Sequence, residues 1–188
     1  MKTLLIVYHT GGVKTARMAE AVERGARNAL REAEAEGDVQ VIVKRAAQAG
    51  PEDLLAADAL VLGTPENFGY MSGMMKDFLE RVFYPCEGKV EGRPWAMFIG
   101  AGQDGSGART SVERIVTGLR MRKAHEAIIG LKELPRSHRS VRGAWRDVCG
   151  GAGNRGLVGD GRSIPPWLPK PAKSAHWFIT IILAPPRL

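Results

Sequence analysis

Three stretches of this 188-residue chain combine residue types that could hold a small anionic or aromatic ligand. His9-Thr10-Gly11-Gly12-Val13-Lys14-Thr15 places hydroxyls, two glycines and a lysine immediately before a helix-like segment. A loop of this kind at a helix N-terminus offers free amides and the positive end of the helix dipole, which favour a phosphate. A plain glycine-rich turn without a ligand is the other reading. It is not a Walker loop, because Gly12 stands only two residues before Lys14. Gly63-Thr64-Pro65-Glu66-Asn67-Phe68-Gly69-Tyr70-Met71-Ser72-Gly73 gathers two aromatics among turn residues. Main-chain amides there could meet the heteroatoms of a flat ring while Phe68 and Tyr70 cover apolar area; a surface loop packed on its own aromatics is the alternative. Gly100-Ala101-Gly102-Gln103-Asp104-Gly105 contains Gly-x-Gly-x-x-Gly. It follows a late strand and Arg120–Lys123 stand where an acidic residue belongs, so it does not read as a dinucleotide fingerprint but as a loop whose backbone approaches a ligand closely.

Side-chain catalysis has little support elsewhere. No serine stands in a Gly-x-Ser-x-Gly elbow, and His9, His125, His138 and His176 lack metal-ligand spacing. Cys86 and Cys149 are far apart, which argues against a disulfide scaffold and fits a reducing cytoplasm. Met71, Met74 and Met75 recur at helical spacing as core filler, and Trp95 opens an apolar strand as a core residue. Glu66 reads as a solvent-facing turn residue, with an influence on proton delivery as the alternative. His9 either donates to a phosphate or caps the sheet edge.

These loops need elements to carry them. Thr3–His9 is an unbroken apolar run, as in a strand buried on both faces of a parallel sheet. Met18, Val22, Ala26, Ala29 and Ala33 mark an amphipathic helix from Thr15 to about Glu36. Strands over Val39–Lys44, Ala59–Gly63 and Trp95–Ile99 then alternate with helices over Pro51–Ala57, Gly73–Val82 and Arg109–Leu119. Such alternation predicts parallel pairing with helices on both faces, a doubly wound α/β fold, with ligands outside the carboxyl ends of the strands. All three loops lie at such ends.

The formal charge of +7 is unevenly placed. Residues 1–119 hold 14 Lys and Arg against 16 Asp and Glu, whereas residues 120–188 hold 13 against 4. The later region also has 7 of the 11 prolines and Trp145, Trp167 and Trp177. A domain over 1–129 and an atypical basic tail over 130–188 follow from this break. The tail's composition fits an extension without packed structure, or one read in a different frame. Charge confined to a tail is weak support for nucleic acid as a partner. Ala124–Ile129 is the candidate fifth strand, and no convincing final helix follows it. Self-association or the apolar stretch His176–Leu183 could cover the sheet face so exposed. No apolar run reaches the length of a membrane span, and no cleavage-type signal separates Met1 from the first strand.

The string Thr64-Pro65-Glu66-Asn67-Phe68-Gly69-Tyr70-Met71-Ser72-Gly73-Met74-Met75-Lys76-Asp77-Phe78 resembles the flavin-ring loop of flavodoxin-like FMN proteins. The resemblance is to the tryptophan-repressor-binding-protein type and related NAD(P)H-dependent quinone and FMN reductases, over about residues 3–129. It implies a flavodoxin-like sheet of order 2-1-3-4-5. It further implies FMN phosphate on Thr10, Gly11, Gly12, Val13, Lys14 and Thr15. The isoalloxazine would lie on Pro65, Glu66, Asn67, Phe68 and Gly69, and its other edge on Gly100, Ala101, Gly102, Gln103 and Asp104. NAD(P)H as co-substrate and a small-molecule acceptor such as a quinone come with it. Two alternatives stand beside this enzyme: an FMN-binding electron carrier without nicotinamide activity, and a cofactor-free module binding polyanions through the tail. Val13 departs from the family's phosphate loop, where a glycine is usual. If that backbone were left-handed or closely approached, a β-branched residue would cost about 1 kcal/mol and weaken FMN binding. Lys14 either meets the phosphate or is a solvated first-turn lysine.

Overall fold

The computed structural model describes residues 1–131. The predicted tail beyond residue 131, including His176–Leu183, lies outside them. The elements run β1 (Lys2–Tyr8), α1 (Val13–Glu32), β2 (Val39–Arg45), α2 (Pro51–Ala56), β3 (Ala59–Asn67), β4 (Tyr70–Met71), α3 (Gly73–Cys86), β5 (Pro94–Gly100), α4 (Ser106–Gly118), β6 (Arg122–Lys123) and β7 (Ile128–Gly130).

β1 is central, as its uniform apolarity requires. It pairs in parallel with β2 from Lys2↔Val39 to Tyr8↔Arg45 and with β3 from Leu4↔Ala59 to Tyr8↔Gly63. β3 pairs in parallel with β5, giving the order β2-β1-β3-β5-β6, with β7 also on β5. Counting the main parallel strands alone, this is the expected flavodoxin-like order. Strand alternation splits the core in two. Leu4 and Ile6 pack with Met18, Val22, Ala26 and Phe98 on the α1 face. Leu5 and Val7 pack with Leu60, Leu62, Phe78, Met97 and Val112 on the face of α2, α3 and α4.

Several boundaries differ from the expectation. α1 starts at Val13 rather than Thr15, and α4 at Ser106 rather than Arg109. α3 continues through Pro85 to Cys86, beyond Val82. Its burial of Val82 and Cys86 against the core outweighs the backbone bond that proline removes. The fifth strand is two pieces, because Arg122–Lys123 pairs with Pro94–Trp95 and Ile128–Gly130 with Phe98–Gly100. Of the three methionines expected in the core, Met71 and Met75 are buried and Met74 is exposed on the outer side of α3. Trp95 is buried as expected.

The hairpin of β3 and β4 has no counterpart in the sequence reading. β3 runs past its parallel partners to Asn67, then turns through Phe68 and Gly69 so that Glu66↔Met71 and Asn67↔Tyr70 pair antiparallel. Both turn residues have positive φ, 53° for Phe68 and 68° for Gly69. Two-residue hairpin turns favour this left-handed pair of conformations, which suits Gly69 and strains a bulky residue such as Phe68.

Candidate functional site

The first loop joins β1 to α1 at the carboxyl edge of the sheet. The Thr10 hydroxyl donates to the Gly12 carbonyl and accepts from the Gly12 N–H at 3.2 Å, folding the loop back on itself. Gly12 precedes α1 with no side chain capping the helix, and the first turn carries no acidic residue. An imaginary Cβ on Gly11 or Gly12 meets nothing within 4 Å. The start of α1 is therefore an open cradle of amides at the positive end of a 20-residue helix. Beside it, Nδ1 of His9 is buried with no hydrogen-bond partner among the described residues. Burial first, and then the charge of Arg45, hold His9 below its ordinary pKa. Arg45 stacks on the Tyr8 ring, 4.4 Å from its centroid.

Val13 corrects the sequence expectation. It is the first residue of α1, has no positive φ, and its side chain is 64% exposed. It neither strains the backbone nor plugs the crevice. Lys14 is not a merely solvated first-turn lysine. Its Nζ donates to the Ala101 carbonyl at 2.7 Å and to that of Leu131 at 3.4 Å, bolting the first loop to the third. Thr15 is buried, and its hydroxyl would lie 2.6 Å from a Cβ on Gly100, so this crossing demands glycine there.

The second and third loops are joined by Glu66, which is not a solvent-facing turn residue. Its Oε1 accepts from the N–H groups of Gly107 at 3.1 Å and Ala108 at 3.3 Å, and its Oε2 from Gly105 at 3.2 Å. A carboxylate at the positive end of α4 satisfies donors the helix cannot, which sequence spacing alone cannot show because the partners lie about 40 residues away. Gly107 in turn lets the Gly69 carbonyl seat against α4, where any Cβ would collide with it. Asp104 turns inward on Ser106, accepting from its N–H at 3.0 Å and its hydroxyl at 2.8 Å, and these bonds hold its carboxyl below the usual range.

Buried hydroxyls that the sequence reading did not single out fix the hairpin's base. The Thr64 Oγ1 accepts from the Ser72 N–H at 3.0 Å, and the Ser72 hydroxyl caps α3 by accepting from the Met75 N–H at 3.3 Å. The Met71 N–H donates to the Ser111 hydroxyl at 3.1 Å, which donates to the Ala108 carbonyl at 2.9 Å. Ser72, just before Gly73 and an apolar helix, was legible as an N-cap. Ser111 gave no such signal.

Gly100 and Ala101 thus lie buried between the other two loops, with Gly102, Gln103 and Asp104 exposed beyond them. Asn67, Phe68 and Gly69 are exposed at the hairpin tip, and Phe68 projects fully into solvent instead of packing on the loop's other aromatics.

The family model for NADPH-dependent FMN reductase matches residues 12–131. The chain belongs to that family. The expectations of FMN and a nicotinamide dinucleotide agree with the family's own description. Among curated relatives, the chain is similar to a flavodoxin of Aquifex aeolicus, 34% identical over 119 residues, covering 63% of this chain and 60% of the relative. It is also similar to an NAD(P)H dehydrogenase (quinone) of Acidithiobacillus ferrooxidans, 30% identical over 140 residues, covering 63% of this chain and 66% of the relative. The chain thus spans a little under two thirds of the length of these relatives. Among solved structures, a flavodoxin described as WrbA-like from Agrobacterium tumefaciens superposes with a TM-score of 0.57 at 19% identity, covering 96% of this chain and 98% of the other, which supports the flavodoxin-like fold. Among the described residues no helix is long and apolar enough to cross a membrane.

Proposed function

We propose that the chain is an FMN-dependent oxidoreductase that oxidises NAD(P)H and delivers electrons to a quinone or similar small acceptor. The observation that carries this reading is the joining of three loops at one edge of the sheet through Lys14 to Ala101 and Glu66 to the start of α4. The residues fit the cofactor: the open amide cradle ahead of α1 and the orphaned Nδ1 of His9 suit a phosphate dianion. In this reading Thr10 to Thr15 hold the phosphate, Pro65 to Gly69 the ring, and Gly100 to Asp104 the ring's other edge. FMN, when bound, supplies a ring that takes a hydride from a reduced nicotinamide and passes two electrons on. The protein's part is placement. Glu66 holds the hairpin in register with α4, Lys14 holds the third loop against α1, and Thr64 with Ser72 stiffens the hairpin's base.

Similarity to a flavodoxin favours a second reading, an electron carrier that binds FMN without reacting with nicotinamide. FMN titration followed by anaerobic NADPH addition separates them. Uptake of FMN with bleaching of the yellow absorbance supports the oxidoreductase, and uptake without bleaching supports the carrier. Failure to bind FMN overturns both and favours the cofactor-free polyanion module, whose tail lies outside the described residues.

A further inference from the structure

A cavity of about 320 Å³ opens beside the hairpin, between its tip at Gly69 and Tyr70 and the outer face of α4 at Gly107, Thr110 and Arg114. That volume is at the lower end for small-molecule sites, too small for a whole dinucleotide and sufficient for one nucleotide's share of it. The walls are fixed by contacts already described: the Gly69 carbonyl seats on Gly107, and the Met71 N–H is held by Ser111. The chemistry of the lining is one-sided. Thr110 and Arg114 stand four residues apart, so they project from the same face of α4. Neither side chain has a hydrogen bond or ion pair with another described residue. No lining residue is acidic. Three carboxylates border the groove and each already has partners: Asp104 accepts from Ser106, Glu66 from the N–H groups of Gly105, Gly107 and Ala108, and Glu113 pairs with Lys123 at 2.9 Å. Tyr70, 42% exposed, offers an aromatic face beside this cation.

We propose that this groove binds the pyrophosphate-bearing adenylate portion of the nicotinamide dinucleotide. A guanidinium matches phosphate oxygens with paired donors, the Thr110 hydroxyl adds a further donor, and the Tyr70 ring suits a ribose or base. The inference rests on the oxidoreductase reading, because it is the dinucleotide that must reach the ring loop from one side. The groove shares Gly69 and Tyr70 with that loop's hairpin, so a ligand anchored at Arg114 lies next to the ring-holding segment.

ADP, a diphosphate probe that cannot reduce flavin, tests the groove directly. Its binding to the full chain is measured by calorimetry for wild type, R114E, R114K and T110V, with and without FMN. R114E should weaken ADP binding about tenfold or more, the usual worth of a charge-assisted phosphate contact, with R114K and T110V intermediate. FMN affinity should be unchanged in all three, since none of these residues belongs to the three loops. R114E should also raise the KM for NADPH and leave that for reduced nicotinamide mononucleotide, which has no pyrophosphate, unaffected. Arg114 is exposed and supports no other side chain, so R114E should keep the wild-type Tm. Equal ADP affinity in wild type and R114E, or no ADP binding at millimolar concentration, overturns the proposal. A chain that binds ADP through Arg114 but is not bleached by NADPH overturns the oxidoreductase reading and leaves the groove standing. A chain bleached by NADPH with R114E indifferent does the reverse.

Discussion

Replacing Glu66 isolates the contact that places the ring loop. Its carboxylate receives three N–H donors at 3.1, 3.2 and 3.3 Å, all part-buried at the start of α4. These distances are at the long end of the normal range, so each bond is worth about 0.5–1 kcal/mol net, and the carboxylate's interaction with the helix dipole adds a few tenths to about 1 kcal/mol. Glu66→Ala should therefore destabilise by roughly 2–3 kcal/mol, lowering Tm by about 5–10 °C for a chain of this size. Glu66→Gln keeps an acceptor for Gly107 and Ala108 and turns a donor toward Gly105, so it should fall between the two. With the hairpin released, its bound-like position becomes one state among several, and FMN affinity should drop by up to roughly 30-fold, the same 2 kcal/mol expressed as a population. Thermal melts followed by circular dichroism and flavin-fluorescence titrations read the two effects separately. A Glu66→Ala chain melting within about 1 °C of wild type would refute the clamp. One that melts early yet binds FMN as wild type does would refute its role in positioning.

Phe68→Asn tests the strained turn: asparagine tolerates the left-handed conformation held at φ 53°, so Tm should rise by a few degrees, while loss of the exposed ring weakens FMN binding; a lower Tm would contradict the strain. Val13→Gly should not tighten FMN binding, because Val13 is an ordinary exposed helix residue, and should instead cost about 0.5–1 kcal/mol through greater unfolded-state freedom; tighter binding by titration would show that the cradle does need a glycine there. His9 is held below its usual pKa by burial and Arg45, so the fold favours the neutral ring. Its contribution is present above the unfolded-state value of 6.5 and is lost as pH falls below that toward the lower folded-state value. Urea midpoints between pH 7.5 and 5 should fall more steeply for wild type than for His9→Gln; parallel slopes would exclude His9 as the source.

Much of the fold was written locally. The uniform run Leu4–Val7 dictated a strand buried on both faces, and the period of Met18, Val22 and Ala26 dictated the helix that covers one of them. Loops at strand ends followed from that alternation, which is why the three candidate segments could be named by position and why the resemblance of Thr64–Phe78 to a flavin loop was visible. What a residue does across 40 or more positions was not legible. Glu66 looked like a turn residue because its donors belong to a helix elsewhere in the chain, and Lys14 gave no sign of reaching Ala101. The pairing of Asn67 with Tyr70 is local, but it was masked by a bulky residue in a turn that usually takes small ones. The sequence determined which segments become strands and helices, since side-chain period and backbone preference are local properties. Only the tertiary structure decided how the three loops interlock, because hydrogen-bond partners and close approaches depend on distances that the chain acquires after the sheet has assembled.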